Sequence, residues 1–89
     1  MRFYTRKELV RIIGCDERFV VSLEREEILS QDAPADVSAE FSERMLERAR
    51  VARTLVEDLD VNVEGAAIIV RLREEISDLH RHLARLIRS

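Results

Sequence analysis

The sequence is poor in the residues that cross-link or interrupt a chain, with one cysteine, one proline and two glycines among 89 residues. A single cysteine excludes an internal disulfide framework and is typical of a protein in a reducing compartment. Few glycines and prolines leave little room for flexible linkers, so mostly regular secondary structure is expected. The length is that of one domain.

Long apolar runs and an excess of positive charge are also missing. The longest apolar run, from Ala66 to Val70, is far shorter than the ~20 residues that a membrane-spanning helix needs. Five charged residues among the first eleven leave no apolar region for a signal peptide. The formal net charge of −3 argues against a generic nucleic-acid binder, which would carry a strongly basic surface. A soluble, cytoplasmic protein without a membrane partner is expected.

The N-terminal third predicts two short helices joined by a tight turn. Thr5 and Glu8 form a capping-box pattern at the start of the first helix, and Gly14 is placed to end it in a left-handed conformation. Asp16 is placed to cap the second helix. Their apolar faces would consist of Leu9, Val10, Ile12 and Ile13 in the first helix, and Phe19, Val20, Leu23 and Ile28 in the second. This arrangement is a helix-turn-helix pattern.

The middle of the chain predicts an irregular segment followed by a third helix. Residues 28–41 read as a loop or a short, irregular β-hairpin in the place of a wing, with strands at 28–30 and 37–41. Ser42 is placed to cap a helix that extends to about Leu59. The residues at helical spacing on its apolar face are Met45, Ala49, Ala52, Leu55, Val56 and Leu59. Asn62 would cap the helix that follows.

The last helix, about residues 63–87, carries a coiled-coil seam. Its apolar positions follow a 3-4-3-4-3 spacing at Ile69, Leu72, Ile76, Leu79, Leu83 and Leu86. The first turn is expected to pack on the rest of the chain through Ala66, Ala67 and Val70. The distal seam either packs within the chain or pairs with a second copy, and homodimerisation is the interpretation we favour because the helix is longer than the remaining residues can cover. This divides the chain into a helix-turn-helix and wing region, residues 1–62, and a dimerisation helix, residues 63–89.

No constellation of residues indicates catalysis, a metal site or a cofactor. His80 and His82 project to opposite sides of a helix and cannot chelate one metal; as residues beside the seam, they are either solvated or form a pH-sensitive dimer contact. Cys15, between Gly14 and Asp16, is expected to be a small turn residue and a poor nucleophile. The pair Glu74–Glu75 reads as solvated helix surface. An enzyme is not expected.

The second helix, which would read DNA bases in a helix-turn-helix protein, is acidic. Ten acidic and three basic residues lie between Asp16 and Glu47. Because phosphate contacts supply most non-specific DNA affinity, this surface fits a basic protein partner better. The predicted partner-binding residues are Asp16, Glu17, Glu24, Glu26 and Glu27. DNA binding is the alternative, and it would use Arg6, Lys7, Arg11 and Arg18.

The order of these elements resembles the MerR superfamily of transcription regulators. The stretch from Leu55 to Gly65 is similar to a segment of the chaperone-modulator CbpM family, "L-x-x-D-L-x-(V/I)-N-x-x-G", and Glu8-Leu9 and Ile28-Leu29 match that family in order and spacing. The resemblance covers roughly residues 4–86. It implies a mainly α, MerR-like winged helix-turn-helix fold with a long C-terminal coiled-coil helix.

The resemblance also implies a function without catalysis. Members of the CbpM family bind the J-domain of a DnaJ-like co-chaperone of the CbpA type, and restrain its stimulation of Hsp70 and its DNA binding. The alternative within the same superfamily is a DNA-binding transcription regulator of the heat-shock repressor type. MerR-like proteins pair their long helices antiparallel, whereas Ile and Leu alternating along the seam are typical of two parallel strands.

Two positions depart from the family pattern. Glu27 and Asp60 stand where these sequences commonly have glycine. If both backbones need a positive φ, aspartate tolerates it and glutamate is strained, at a cost on the order of 1 kcal/mol.

Overall fold

The computed structural model describes residues 1–88, and helices make up most of it. In this part of the chain the α-helices are α1 (Arg6–Ile13), α2 (Glu17–Arg25), α3 (Glu43–Arg53) and α4 (Val63–Arg88). The other elements are two short strands, β1 (Phe3–Tyr4) and β2 (Phe41–Ser42), and a π-helical turn (Thr54–Asp58). The predicted fold class, a mainly helical chain with a helix-turn-helix and a long C-terminal helix, is confirmed.

The predicted helix starts are confirmed at every cap. Thr5 and Glu8 form the full capping box: the Glu8 backbone N–H donates to the Thr5 hydroxyl at 3.1 Å, and the Thr5 N–H donates to the Glu8 carboxylate at 2.9 Å. Asp16 accepts from the Phe19 N–H at 2.9 Å, and Ser42 begins α3 in the same way. The Asn62 side chain accepts from the Gly65 N–H at 2.7 Å at the start of α4.

Helix α2 ends in a turn that places Glu27 in a left-handed conformation. The Ile28 N–H donates to the Leu23 carbonyl at 2.9 Å, and the Glu27 N–H donates to the Glu24 carbonyl at 3.1 Å. These two bonds form a Schellman motif, whose left-handed position usually holds glycine. Here Glu27 has φ 59°, and Asp60 has φ 55° after the π-helical turn. The positive φ that the family pattern suggested at both positions is therefore present.

Replacing Glu27 with glycine is expected to stabilise the protein by about 1 kcal/mol, since glycine has no Cβ to strain at positive φ. The measurement is the urea midpoint of unfolding at constant chain concentration. Glu27→Gln removes the charge but keeps the Cβ, so it should leave the midpoint unchanged. Glu26→Gly is the matched control: Glu26 has φ −88°, so glycine there should destabilise. An equal midpoint for Glu27→Gly and Glu27→Gln would contradict the argument from strain.

The predicted hairpin between residues 28–30 and 37–41 is wrong. Strand β2 pairs antiparallel with β1, so that Phe3 lies opposite Ser42 and Tyr4 opposite Phe41. Ile28 and Leu29 belong instead to the core. The segment between them and β2 is a loop, as the other interpretation held. This loop is tied to β1 by the Glu40 N–H, which donates to the Tyr4 carbonyl at 3.0 Å.

The core lies between the helix-turn-helix, α3 and the first turns of α4. Its largest fully buried side chains are Phe41, Leu9, Leu23, Ile28 and Val20. Helix α3 contributes Met45, Leu46, Ala49 and Ala52, and α4 contributes Ala66, Ala67 and Val70. The predicted contact between the first turns of α4 and the rest of the chain is confirmed.

The third helix differs from the prediction at its end. It changes at Thr54 from an α-helix to a π-helical turn, which ends before Leu59. A π-helical turn holds more residues than an α-helical turn, so residues beyond it no longer continue the apolar face of α3. Leu55 and Val56 are still half-buried against the core, but Leu59 is 63% exposed. The prediction that Leu59 shares the buried face is therefore wrong.

Helix α4 leaves the core after its third turn. From Glu75 to Arg88 every residue is exposed. The division into residues 1–62 and a dimerisation helix at residues 63–89 stays a prediction, and residue 89 lies outside the described part of the chain.

Candidate protein-interaction surface

The helix-turn-helix presents one face of α2 to solvent. Glu17, Arg18, Val21 and Arg25 are exposed along it, while Val20 and Leu23 anchor the opposite face in the core. Gly14, with φ 75°, makes the tight turn that sets α2 against α1. The predicted partner-binding and DNA-binding residues therefore lie on two short helices or within two residues of their ends, and both helices are fixed by their buried faces.

A bidentate ion pair joins Arg6 on α1 to Glu24 on α2. The two guanidinium nitrogens of Arg6 donate to the two carboxylate oxygens of Glu24 at 2.8 and 2.9 Å. The Glu24 hydrogen bonds raise the pKa of Arg6 above its ordinary value. Arg6 belongs to the predicted DNA-binding residues and Glu24 to the predicted partner-binding residues. Because they neutralise each other, neither presents a free charge to a partner.

Only some of the other predicted acidic residues are free. The Asp16 carboxylate caps α2. Glu26 is half-buried, and its backbone carbonyl, not its carboxylate, accepts a hydrogen bond from Arg71 at 3.1 Å. Glu17 and Glu27 are exposed at opposite ends of α2, and neither makes an ion pair within residues 1–88. The free negative charge of this helix is therefore concentrated at its two ends.

The loop before β2 carries three further acidic residues, Asp32, Asp36 and Glu40. It contains no lysine or arginine. The Asp32 carboxylate accepts from the Ser42 N–H at 2.8 Å, and the Glu40 carboxylate accepts from the Arg6 N–H at 2.7 Å. The first bond ties the loop to the start of α3, and the second ties it to α1. Asp36 is exposed.

The remaining predicted DNA-binding residues are exposed on both helices. Lys7 and Arg11 lie on α1 and Arg18 lies on α2. On each helix a free cation is next to an acidic residue in the sequence: Lys7 precedes Glu8 on α1, and Arg18 follows Glu17 on α2. Phosphate binding would need these cations to form one contiguous basic face, and the ion pair with Glu24 removes Arg6 from it.

An ion-pair network joins α3 to α4, and the sequence pattern did not predict it. Arg48 donates to the Glu74 carboxylate at 2.5 and 2.8 Å and to the Ile28 carbonyl at 3.0 Å, while Arg44 donates to Glu74 at 3.1 Å. The reading of Glu74 as solvated helix surface is therefore wrong. The position of Glu74 could have indicated that it contacts α3, because Glu74 follows Ala67 and Val70 at helical spacing on the buried face of α4. The network lines one side of an open cleft of ≈ 540 Å³ between the two helices.

The predicted dimer seam lies on the exposed part of α4. Leu72, Ile76, Leu79 and Leu83 are 50–66% exposed in the single chain. Ile69, at the start of the seam, is half-buried, and Leu86, near its end, is exposed. The alternative interpretation, in which the distal seam packs within the chain, is wrong. An exposed apolar stripe of this length is typical of an interaction surface.

The other residues of interest form no reactive centre. Burial raises the pKa of the Cys15 thiol, and the neighbouring Asp16 raises it further, which disfavours the nucleophilic thiolate. His80 and His82 are exposed on α4. Within residues 1–88, no group of three or more metal-ligating side chains comes together. Over the same residues, no helix has the length and apolar character to cross a membrane.

Comparison with known proteins agrees with this geometry. A family model described as "MerR HTH family regulatory protein" matches residues 4–88. The chain is also 25% identical over 81 residues to the chaperone modulatory proteins CbpM of two Coxiella burnetii strains, Dugway 5J108-111 and RSA 331 / Henzerling II, and the match covers 91% of this chain and 76% of each relative. No solved structure gives a match. None of these names describes an enzyme. The predicted resemblance is therefore confirmed, and the chain belongs to the MerR helix-turn-helix family of regulatory proteins.

Proposed function

We propose that this chain is a non-catalytic modulator that binds the J-domain of a DnaJ-like co-chaperone of the CbpA type, and so restrains its stimulation of Hsp70 and its DNA binding. The observation that carries the proposal is the likeness to chaperone modulatory proteins along 91% of the chain. We also propose a cytoplasmic location, because a single cysteine is typical of a protein in a reducing compartment.

The charge of the helix-turn-helix supports a protein partner. A J-domain usually presents a basic helix to Hsp70. Glu17 and Glu27 offer exposed carboxylates at the ends of α2, and Asp36 is exposed in the loop before β2. Val21 gives the same face an exposed apolar side chain. The pairing of Arg6 with Glu24 removes one cation that phosphate binding would need. Complementary charge of this kind guides association and fixes orientation.

We further propose that the modulator is a homodimer formed through the seam of α4. The seam follows a heptad spacing and is exposed, and the domain core covers only the first turns of the helix. A leucine or isoleucine that stays exposed forgoes about 1.5–3 kcal/mol of burial. Pairing with a second copy recovers this free energy along the whole stripe.

Charge reversal at the ends of α2 tests the proposed partner. Glu17→Lys combined with Glu27→Lys is expected to weaken binding to a purified J-domain of a CbpA-type co-chaperone by about tenfold, because two attractive contacts become repulsive. Glu24 is left intact, since its reversal would also break the ion pair with Arg6. The measurements are the dissociation constant by calorimetry and the J-domain-stimulated ATPase rate of Hsp70.

The matched control reverses two exposed acidic residues on α4, Glu64→Lys with Glu75→Lys. It has the same net charge as the α2 variant and is expected to bind the J-domain like the unmodified chain. A gel shift with duplex DNA at about 150 mM salt runs beside it. Equal loss in both variants would contradict the assignment to α2, and tight, sequence-selective DNA binding without J-domain binding would overturn the proposed function in favour of a DNA-binding regulator.

A further inference from the structure

Two arginines outside the helix-turn-helix hold the turn that ends α2. Arg48 of α3 donates to the Ile28 carbonyl at 3.0 Å, and Arg71 of α4 donates to the Glu26 carbonyl at 3.1 Å. These carbonyls belong to the residues on either side of Glu27, whose φ is 59°. The turn is therefore held from both sides of its strained residue.

The two arginines differ in what else they hold. Arg48 is bound by Glu74, and its side chain is only 15% exposed. Arg71 is exposed, and it forms no ion pair within residues 1–88. It also lies off the seam of α4. Arg71 can therefore be substituted without loss of the Glu74 network or of the seam.

The fold itself does not need a glutamate at position 27. The hydrogen bonds of this Schellman motif use backbone atoms only, so glycine would form them without strain. The Glu27 carboxylate is exposed and makes no ion pair within residues 1–88. The turn therefore keeps, at a cost in strain, a carboxylate that the described part of the chain does not use.

A strained residue persists only where its surroundings hold it, and such residues cluster at sites that contact a ligand. The alternative for the two arginines is a purely structural role, because cations near the C-terminus of a helix stabilise it through the helix dipole. That role would be the same with glycine or glutamine at position 27. The identity of residue 27 therefore separates the two interpretations.

We propose that Arg71 is a positioning residue for partner binding. Together with Arg48 it fixes the turn of residues 26–28, so that Glu27 presents its carboxylate to a cation of the partner's basic helix. The inference rests on the proposed function, in which that helix belongs to a J-domain. A carboxylate on a fixed backbone loses less conformational freedom on binding than one on a mobile turn. Arg71 acts through Glu27, since its own positive charge would repel a basic helix.

Arg71→Met tests the positioning role, because methionine keeps the apolar stem and removes the donor. Binding to a purified J-domain of a CbpA-type co-chaperone is expected to weaken about threefold, measured as the dissociation constant by calorimetry. Net charge alone predicts the opposite, since a more negative chain should bind a basic partner more tightly. Arg71→Lys keeps the charge and an N–H donor, and should recover most of the affinity.

The same substitution in a Glu27→Gln chain tests whether Arg71 acts through Glu27. With the carboxylate gone, Arg71→Met should change the dissociation constant by less than about 1.5-fold. A loss of full size in that background would overturn the inference. Arg73→Met is the matched control, because it removes the same charge from an exposed position of α4. It should bind at least as tightly as the unmodified chain, and an equal loss with Arg71→Met would also overturn the inference.

At position 27, stability and binding are expected to change in opposite directions. Glu27→Gly should raise the urea midpoint by relieving strain, and weaken J-domain binding by about two- to fivefold because the carboxylate is lost. Glu27→Gln should weaken binding equally without raising the midpoint. A Glu27→Gly chain that binds like the unmodified chain would overturn the inference and leave the proposed function intact. An unmodified chain that does not bind the J-domain would overturn both.

Discussion

A chain carrying Leu79→Glu is expected to sediment as a monomer at concentrations where the unmodified chain sediments as a dimer. Leu79 lies near the middle of the seam and is 66% exposed in the single chain. The dimer contains two copies of the position, and each substitution loses about 1.5–3 kcal/mol of burial and places a carboxylate in an apolar contact. The dissociation constant should therefore rise by at least about a thousandfold.

The same variant is expected to lose helix as it loses its partner. In the monomer every residue of α4 from Glu75 to Arg88 is exposed, and isolated helices shorter than ~12–15 residues are marginal in water. Circular dichroism at increasing chain concentration should then show helix content rising with concentration for the unmodified chain only.

Ala84→Glu is the matched control for this experiment. It adds the same charge to the same part of α4, but Ala84 lies off the seam. Its sedimentation mass should equal that of the unmodified chain. A dimeric Leu79→Glu chain would contradict the seam, and monomerisation by both variants would assign the effect to net charge.

The helix starts were predictable because each cap is a local interaction. In each case the capping side chain and the backbone N–H that it accepts from lie three residues apart, as for Thr5 with Glu8 and Asn62 with Gly65. The conformation of such a short segment depends mainly on its own residues. The left-handed turn at Gly14 was predictable for the same reason, because it depends on the glycine itself and its neighbours in the sequence.

The strand pairing was not predictable in this way. Strand β2 pairs with β1 at the N terminus, although the nearer segment at Ile28-Leu29 has equally suitable side chains. Two buried apolar residues beside a loop fit a strand or a core segment equally well. The tertiary fold decides between them, because the core takes up Ile28 and Leu29.

The free charges of the candidate site could not be predicted from composition either. The count of ten acidic and three basic residues between Asp16 and Glu47 gives the net charge of the segment, but it does not show which carboxylates are free. Arg6 and Glu24 are 18 residues apart, and they meet only because α1 packs beside α2. Glu74 meets Arg48 across 26 residues in the same way. These pairings are properties of the packing.

The network around Glu74 is expected to contribute about 2 kcal/mol to stability at neutral pH. Arg48 holds the pKa of the Glu74 carboxyl at about 2, against an ordinary value of 4.5. The Arg48 side chain is only 15% exposed, so removing its counter-charge leaves a poorly solvated cation. Glu74 itself keeps some contact with water, which reduces the free energy below the full value implied by its pKa. Glu74→Gln should lower the free energy of unfolding by that amount at pH 7.

This contribution has a defined dependence on pH. A carboxyl whose pKa is lower in the folded state stabilises the fold above its unfolded pKa, and loses that effect as the pH falls through its folded pKa. The free energy of unfolding of the unmodified chain should therefore exceed that of Glu74→Gln by a constant amount above about pH 5. The difference should shrink between pH 4.5 and about 2.

Urea unfolding of both chains from pH 7 to pH 2, at one chain concentration, measures this difference. Other carboxylates titrate in the same range, but they are common to both chains and cancel in the comparison. Glu75→Gln is the matched control, because Glu75 is adjacent, exposed and without an ion pair among residues 1–88. Its stability should follow that of the unmodified chain at every pH. A pH-independent difference for Glu74→Gln would mean that its effect comes from packing rather than from the charge that Arg48 holds, because only an ionisable group can lose its contribution when it is protonated.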